Sequence, residues 1–290
     1  MEKKRTLKGI IIGLVKIIAL ILAIRILQQI FLLPLSSLSR TYWSHLNGRG
    51  LNEPWFITSS LALFLAVFII CLVFLKFIDK KPWSFLRVTP VKLKKYIAVG
   101  KTIGCIMVIL FTLVNILLGN AGLSLVYTSL TGTLFYIVLL GIGIFVLALG
   151  EELVYRGYVL KTLETHCGFV AAVIISSLVF CIVHFIRPDI SLPASVNIFL
   201  SGVFLSMICI YYNSLWAAVG IHFGWNFFLW FFNYPVSEQK WPNPLFKLEY
   251  LKHNLVIGST FGPEGSILLT LILAGAISYF IFRFKNLDRS

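Results

Sequence analysis

The chain has 290 residues, 59% of them hydrophobic and only 12% charged, with a formal net charge of +14. A soluble domain carries about 25% charged residues, so bulk water is not the main solvent of this one. The positive balance does not point to nucleic acid either. Its Lys and Arg sit in short segments between apolar runs, and no stretch is long or polar enough to form a soluble basic face.

In hydrocarbon every backbone N–H and C=O must be paired internally, which leaves helices or closed barrels. The apolar residues here form long continuous runs, not ten-residue alternations, so helices are the expectation. The N-terminal MEKKRTLK is followed by an apolar run of about 25 residues. That run is too long for the apolar core of a signal peptide, and no small-residue cleavage site follows it; it reads as a retained first span at 9–33. Lys16 and Arg25 lie inside it and read as side chains that snorkel to the two interfaces. Further spans are expected near 57–78, 96–119, 131–164, 168–186, 195–212, 214–233 and 265–284, with Pro and Gly marking several boundaries. The fold expectation is an all-α polytopic membrane helix bundle with about eight transmembrane helices, forming one integral membrane domain over 1–290. Trp55, Trp83 and Trp241 fall at segment ends, as interfacial aromatics do. Five cysteines are scattered singly and read as packing residues.

Charge orients the chain. Lys3, Lys4, Arg5 and Lys8 precede the first span, and the segment after the second carries Lys76, Lys80, Lys81, Arg87, Lys92, Lys94 and Lys95 against Asp79. Arg283, Lys285 and Arg289 close the tail, while Arg40, Arg49 and Glu53 nearly cancel on the other side. Positive-inside therefore predicts a multi-pass protein of the cell membrane with both termini cytoplasmic.

An ionisable group in hydrocarbon costs ~2.5–3.5 kcal/mol on insertion scales, so it needs a partner or a task. Three segments hold such groups. GEELVYRGYVL carries Glu151, Glu152 and Arg156; Glu152 and Arg156 are at i,i+4 and can pair, whereas Glu151 lies about 100° round the helix, on the face of Tyr155. FCIVHF carries His184, one turn after Phe180, and GIHFGWNFF places His222 and Asn226 on one helical face. If the chain reverses at Cys167-Gly168, Glu151 lies sixteen residues before the turn and His184 sixteen after, so the two sit level. A fourth helix of about 34 residues, ~51 Å long, must project beyond a ~30 Å hydrocarbon core, which brings His222 to a similar depth. The spacing predicts one polar chamber, open to the cytoplasmic side.

A carboxylate facing an imidazole can activate water and pass its proton to a leaving amine. A second imidazole with an amide one turn on can stabilise an oxyanion. Alternatively Glu151, His184 and His222 could hold zinc with an open position, leaving Glu152 as base. Other intramembrane protease chemistries fail on the sequence. Asp79, Asp189 and Asp288 all fall in loops or the tail, H-E-x-x-H is absent, and no Ser stands in a Gly-x-Ser-Gly setting. A non-proteolytic scaffold or immunity protein, and a proton-relaying transporter, are the competing classes; no internal repeat supports the transporter.

In this order and spacing, Glu151-Glu152-xxx-Arg156, Phe180-xxx-His184 and His222-xxx-Asn226 resemble the three motifs of the CPBP family of intramembrane proteases, the CAAX-protease and bacteriocin-processing (Abi) family. The similarity spans about 145–230, which becomes the expected protease core, with 1–120 as accessory spans. The resemblance implies an eight-span endopeptidase acting near the cytosolic membrane boundary on a peptide or membrane-anchored protein. It implies that Glu151 and His184 activate water, that His222 and Asn226 stabilise the oxyanion, and that Glu152 and Arg156 support the geometry. Family members are often labelled metalloproteases, so zinc is the cofactor the resemblance leaves open; an Asn in place of a third strong ligand favours the metal-free route.

Overall fold

The computed structural model describes residues 7–37, 53–126, 129–184, 191–236 and 244–287. The sequence-based charges at Lys3, Lys4, Arg5, Arg40, Arg49, Asp189, Asp288 and Arg289, and Trp241, lie outside these described residues, as does the Glu53 side chain. The all-α bundle is what forms. In chain order it comprises α1 (Leu7–Ser37), α2 (Glu53–Val73, prolonged by a π-helical turn Phe74–Asp79), α3 (Leu93–Leu117), β1 (Ala121–Leu125) and α4 (Leu130–Glu152). A π-helical stretch, Leu153–Val159, joins α4 to α5 (Leu160–Cys167). Then come α6 (Phe169–His184), α7 (Leu192–Tyr211), α8 (Leu215–Phe231), β2 (Phe246–Tyr250) and α9 (Ile267–Leu287).

Among the described residues six helical segments are long and apolar enough to cross a membrane, the longest being Thr131–Cys167 with 37 residues. The other two expected spans are shorter: α6 has 16 residues and α8 has 17. At helical rise they reach ~24–26 Å, short of a ~30 Å core.

Local chemistry sets the boundaries. The Ser129, Ser191 and Ser214 side chains accept hydrogen bonds from Gly132, Ala194 and Trp216 N–H at the starts of α4, α7 and α8. The α5–α6 reversal falls on Gly168 at φ +80°, a left-handed value that glycine adopts without Cβ strain.

At one end of the bundle the lysine-rich segment 80–92 is tied down. Arg87 donates to both carboxylate oxygens of Glu164 in α5 at 2.8 Å and to Asn213 Oδ1 at 3.1 Å, and its carbonyl accepts Leu215 N–H at 3.1 Å. Trp216 Nε1 donates to the Thr89 carbonyl at 2.6 Å. At this end, too, Lys16 pairs with Asp79 at 2.5 Å, and Asp79 accepts a second bond from the Tyr158 hydroxyl at 2.6 Å. The expected snorkelling of Lys16 is thus replaced by an internal ion pair, because the π-helical turn carries Asp79 into the bundle. At the opposite end β1 and β2 pair antiparallel, Leu123 facing Leu248, and Asn120 is buried in a network with Asn115 and Asn254.

The tightest helix contact is between α3 and α8, which run parallel. Gly100 and Gly104 face Gly220 and Gly224. A Cβ on Gly100 would stand 2.3 Å from the Ala217 carbonyl oxygen, and one on Gly224 would stand 2.5 Å from that of Lys101. Without Cβ atoms the backbones meet directly, the means by which helices associate where no hydrophobic drive acts between them. This contact fixes the rotation of α8, which carries His222 and Asn226.

Candidate active site

The polar residues singled out in the sequence do converge. Glu151, His184, His222 and Asn226 all line one cavity of about 630 Å³, together with Tyr155 and Phe180. Helix α4 brings Glu151, the last turn of α6 brings His184, and α8 brings His222 with Asn226 one turn on.

Glu152 lies behind this wall rather than in it. It is fully buried, and its Oε1 accepts from Arg156 Nη1 and from His222 Nδ1, both at 2.8 Å. The i,i+4 pair expected from the sequence is present; the bond to His222 was not foreseen. A carboxylate can only accept, so the His222 Nδ1 carries a hydrogen and the ring turns Nε2 toward Glu151 Oε2, 3.8 Å away. Such an outer partner fixes an imidazole's orientation. Arg156, 1% exposed, also lies over the Phe180 ring at 4.4 Å from its centroid. Phe180 touches Tyr155 edge-on at 4.9 Å and His184 at 4.5 Å. One aromatic ring therefore joins the arginine of the first motif to the histidine of the second.

His184 is set by its own helix. Its Nδ1 stands 2.8 Å from the Phe180 carbonyl oxygen, which accepts only, so Nδ1–H donates and Nε2 is left as an acceptor. Asn226 is 5% exposed at the cavity wall. Tyr155 was expected on the Glu151 face as a hydrogen-bond partner. Among the described residues it makes no such bond, because the π-helical stretch changes the turn on which it sits and seats it against Phe180. The zinc alternative also meets a geometric obstacle: among the described residues no three His, Cys, Asp or Glu side chains form a group able to hold a metal ion. The Nδ1 bonds of His222 to Glu152 and of His184 to the Phe180 carbonyl leave each Nε2 open, so the obstacle is the spacing of the three side chains alone.

Residues 133–228 match the type II CAAX prenyl endopeptidase Rce1-like family. The resemblance drawn from the three motifs is borne out, over a segment that contains all of them. The match supports a membrane-embedded CAAX-type endopeptidase in general. No curated protein and no solved structure matches the chain.

The Rce1-like segment does not enclose the chamber alone. Helices α1 and α2 contribute Ile24, Arg25, Gln28, Ser59, Ser60 and Val67 to its wall. Arg25 thus stands on the chamber wall, with its side chain exposed. The cavity reaches from Val67 and Val154 toward Trp55, Val236 and Glu264. These last three sit at helix ends remote from the lysine-rich segment, whereas the lysine-rich end is closed by buried Phe74, Leu75, Leu86, Tyr158 and Leu160. The chamber and that segment thus occupy opposite ends of the bundle. An opening on the cytoplasmic side and a cytoplasmic lysine-rich segment do not go together.

Proposed function

We propose that the chain is an intramembrane endopeptidase that hydrolyses a peptide bond of a peptide or membrane-anchored protein with a water activated by Glu151 and His184. The observation that carries this reading is the gathering of Glu151, His184, His222 and Asn226 around one cavity, with His184 Nε2 kept as an acceptor by the Phe180 carbonyl. Water donates a hydrogen bond to the Glu151 carboxylate or His184 Nε2 and loses a proton to it as its oxygen attacks the scissile carbonyl. The Asn226 amide and the Nε2–H of a doubly protonated His222 donate to the resulting oxyanion. Collapse breaks the C–N bond, and the abstracted proton goes to the leaving amine. Glu152 and Arg156 hold His222 and Phe180 in place. Residues 145–230 act as the protease core and 1–120 as accessory spans that complete its wall.

With both termini and the lysine-rich segment cytoplasmic, the chamber receives its peptide from the opposite membrane face. The test is turnover in proteoliposomes: Glu151→Ala and His184→Ala each abolish cleavage while insertion and thermal stability stay at wild-type level. Wild-type turnover in either variant would overturn the roles given to Glu151 and His184, whereas biological activity surviving both substitutions would point to a scaffold or immunity role instead.

A further inference from the structure

One charged group in the chamber has no part in the hydrolysis. Arg25 belongs to α1, outside the residues that match the Rce1-like family. It stands nine residues before Pro34, the end of the first candidate span, and so ~13 Å from that end at helical rise. A cation that far along a span carries a large desolvation cost unless water, an anion or a polar cavity receives it. Arg25 Nη1 donates to Gln28 Oε1 at 3.2 Å, and Gln28 is itself 8% exposed. Among the described residues no carboxylate is in ion-pair contact with Arg25. The site carboxylates are engaged elsewhere: Glu152 with Arg156 and His222, Glu151 beside His222. The other acidic group on the wall, Glu264, lies toward the mouth.

A guanidinium has five N–H donors in a rigid fork, and Gln28 occupies one. The edge formed by Nε and Nη2 is left for a planar anion, and a carboxylate matches that edge with two parallel hydrogen bonds. Gln28 restrains the guanidinium at the chamber wall through this one bond. We propose that Arg25, positioned by Gln28, is a carboxylate-binding subsite of the chamber. It takes an anionic group of the bound peptide, either its free C-terminal carboxylate or an Asp or Glu side chain near the scissile bond. The proposal rests on the peptidase reading for the identity of its ligand, while the anion preference itself stands on Arg25 and Gln28 alone.

The test uses three dansylated hexapeptides with one apolar sequence: free C-terminal acid, C-terminal amide, and C-terminal amide with one internal Asp. Binding to the full chain in detergent is followed by fluorescence anisotropy in a Glu151→Gln background, and cleavage is followed separately in the wild type. At least one carboxylate peptide is expected to bind tenfold or more tightly than the neutral amide, and which one does so distinguishes terminal from side-chain recognition. Arg25→Gln is expected to remove the preference while leaving amide-peptide binding and thermal stability unchanged; Arg25→Lys, which keeps charge without the fork, is expected to fall between. Equal binding of all three peptides, no binding at millimolar concentration, or a preference surviving Arg25→Gln would overturn the subsite. A carboxylate preference without cleavage of any peptide leaves the subsite standing and counts against the peptidase; cleavage without a preference does the reverse.

Discussion

Glu152 Oε1 holds two donors at once: Arg156 Nη1 and His222 Nδ1 each approach to 2.8 Å, while Oε2 is buried without a partner among the described residues. Two helices of the candidate site are therefore locked by a single oxygen. Glu152→Ala is expected to lower stability by about 3–5 kcal/mol, the usual cost of leaving a buried charge without its partner. Glu152→Gln keeps an acceptor and the packing, so its loss is smaller. Thermal unfolding in detergent separates the two, and both variants are expected to lose turnover because His222 is no longer held. Stability equal to wild type in Glu152→Ala would show that Arg156 does not depend on this pair.

The glycine contact between α3 and α8 gives a second prediction. Gly224→Ala places a Cβ 2.5 Å from the Lys101 carbonyl oxygen, and only a shift of one helix relieves it. Because Gly224 stands between His222 and Asn226, turnover is expected to fall at least tenfold, with a lowered unfolding temperature. Gly275→Ala in α9 is the matched control, since a Cβ there meets nothing within 4 Å. Equal behaviour of the two variants would remove the argument for close packing.

Sidedness is tested by labelling intact cells with a membrane-impermeant maleimide. Leu255→Cys, on the chamber end of the bundle and 60% exposed, is expected to label without permeabilisation. Ser59→Cys, inside the chamber, is expected to follow it more slowly, and Lys94→Cys to label only after permeabilisation. The reverse pattern would put the lysine-rich segment outside and return the chamber mouth to the cytoplasm.

The metal-free route predicts that proteoliposomes treated with a chelator retain turnover within twofold. Stoichiometric zinc in the purified protein, with activity lost on its removal and restored on its return, would replace the route through Glu151 and His184.

Much of this was legible in the sequence because misplaced polarity in an apolar chain is a loud signal. Glu151, His184, His222 and Asn226 could be singled out one by one, and equal spacing from Cys167 and Gly168 brought the first two level. The Glu152–Arg156 pair followed from i,i+4 geometry. What stayed hidden depends on neighbours remote in the chain. The bond from His222 to Glu152 spans 70 residues, and the place of Arg25 on the chamber wall depends on helices far along the chain. The paired Gly-xxx-Gly repeats at Gly100 and Gly220 were readable, yet only their apposition gives them meaning. Asp79 looked like a loop residue because a π-helical turn has no sequence period of its own.

The π-helical stretch from Leu153 to Val159 bears on how this helix tolerates change in length. It inserts a phase offset of about one residue, or ~100°, between two faces that answer to different partners. Upstream, Glu151 and Glu152 must meet the chamber and His222; at the end of the stretch Tyr158 must meet Asp79, and downstream Glu164 must meet Arg87. A helix of uniform pitch, made by deleting one residue here, would satisfy one set and rotate the other away. The stretch thus acts as a clutch between the chemical half of the helix and its anchored half, and single-residue deletions within it should be far more damaging than conservative substitutions at the same positions.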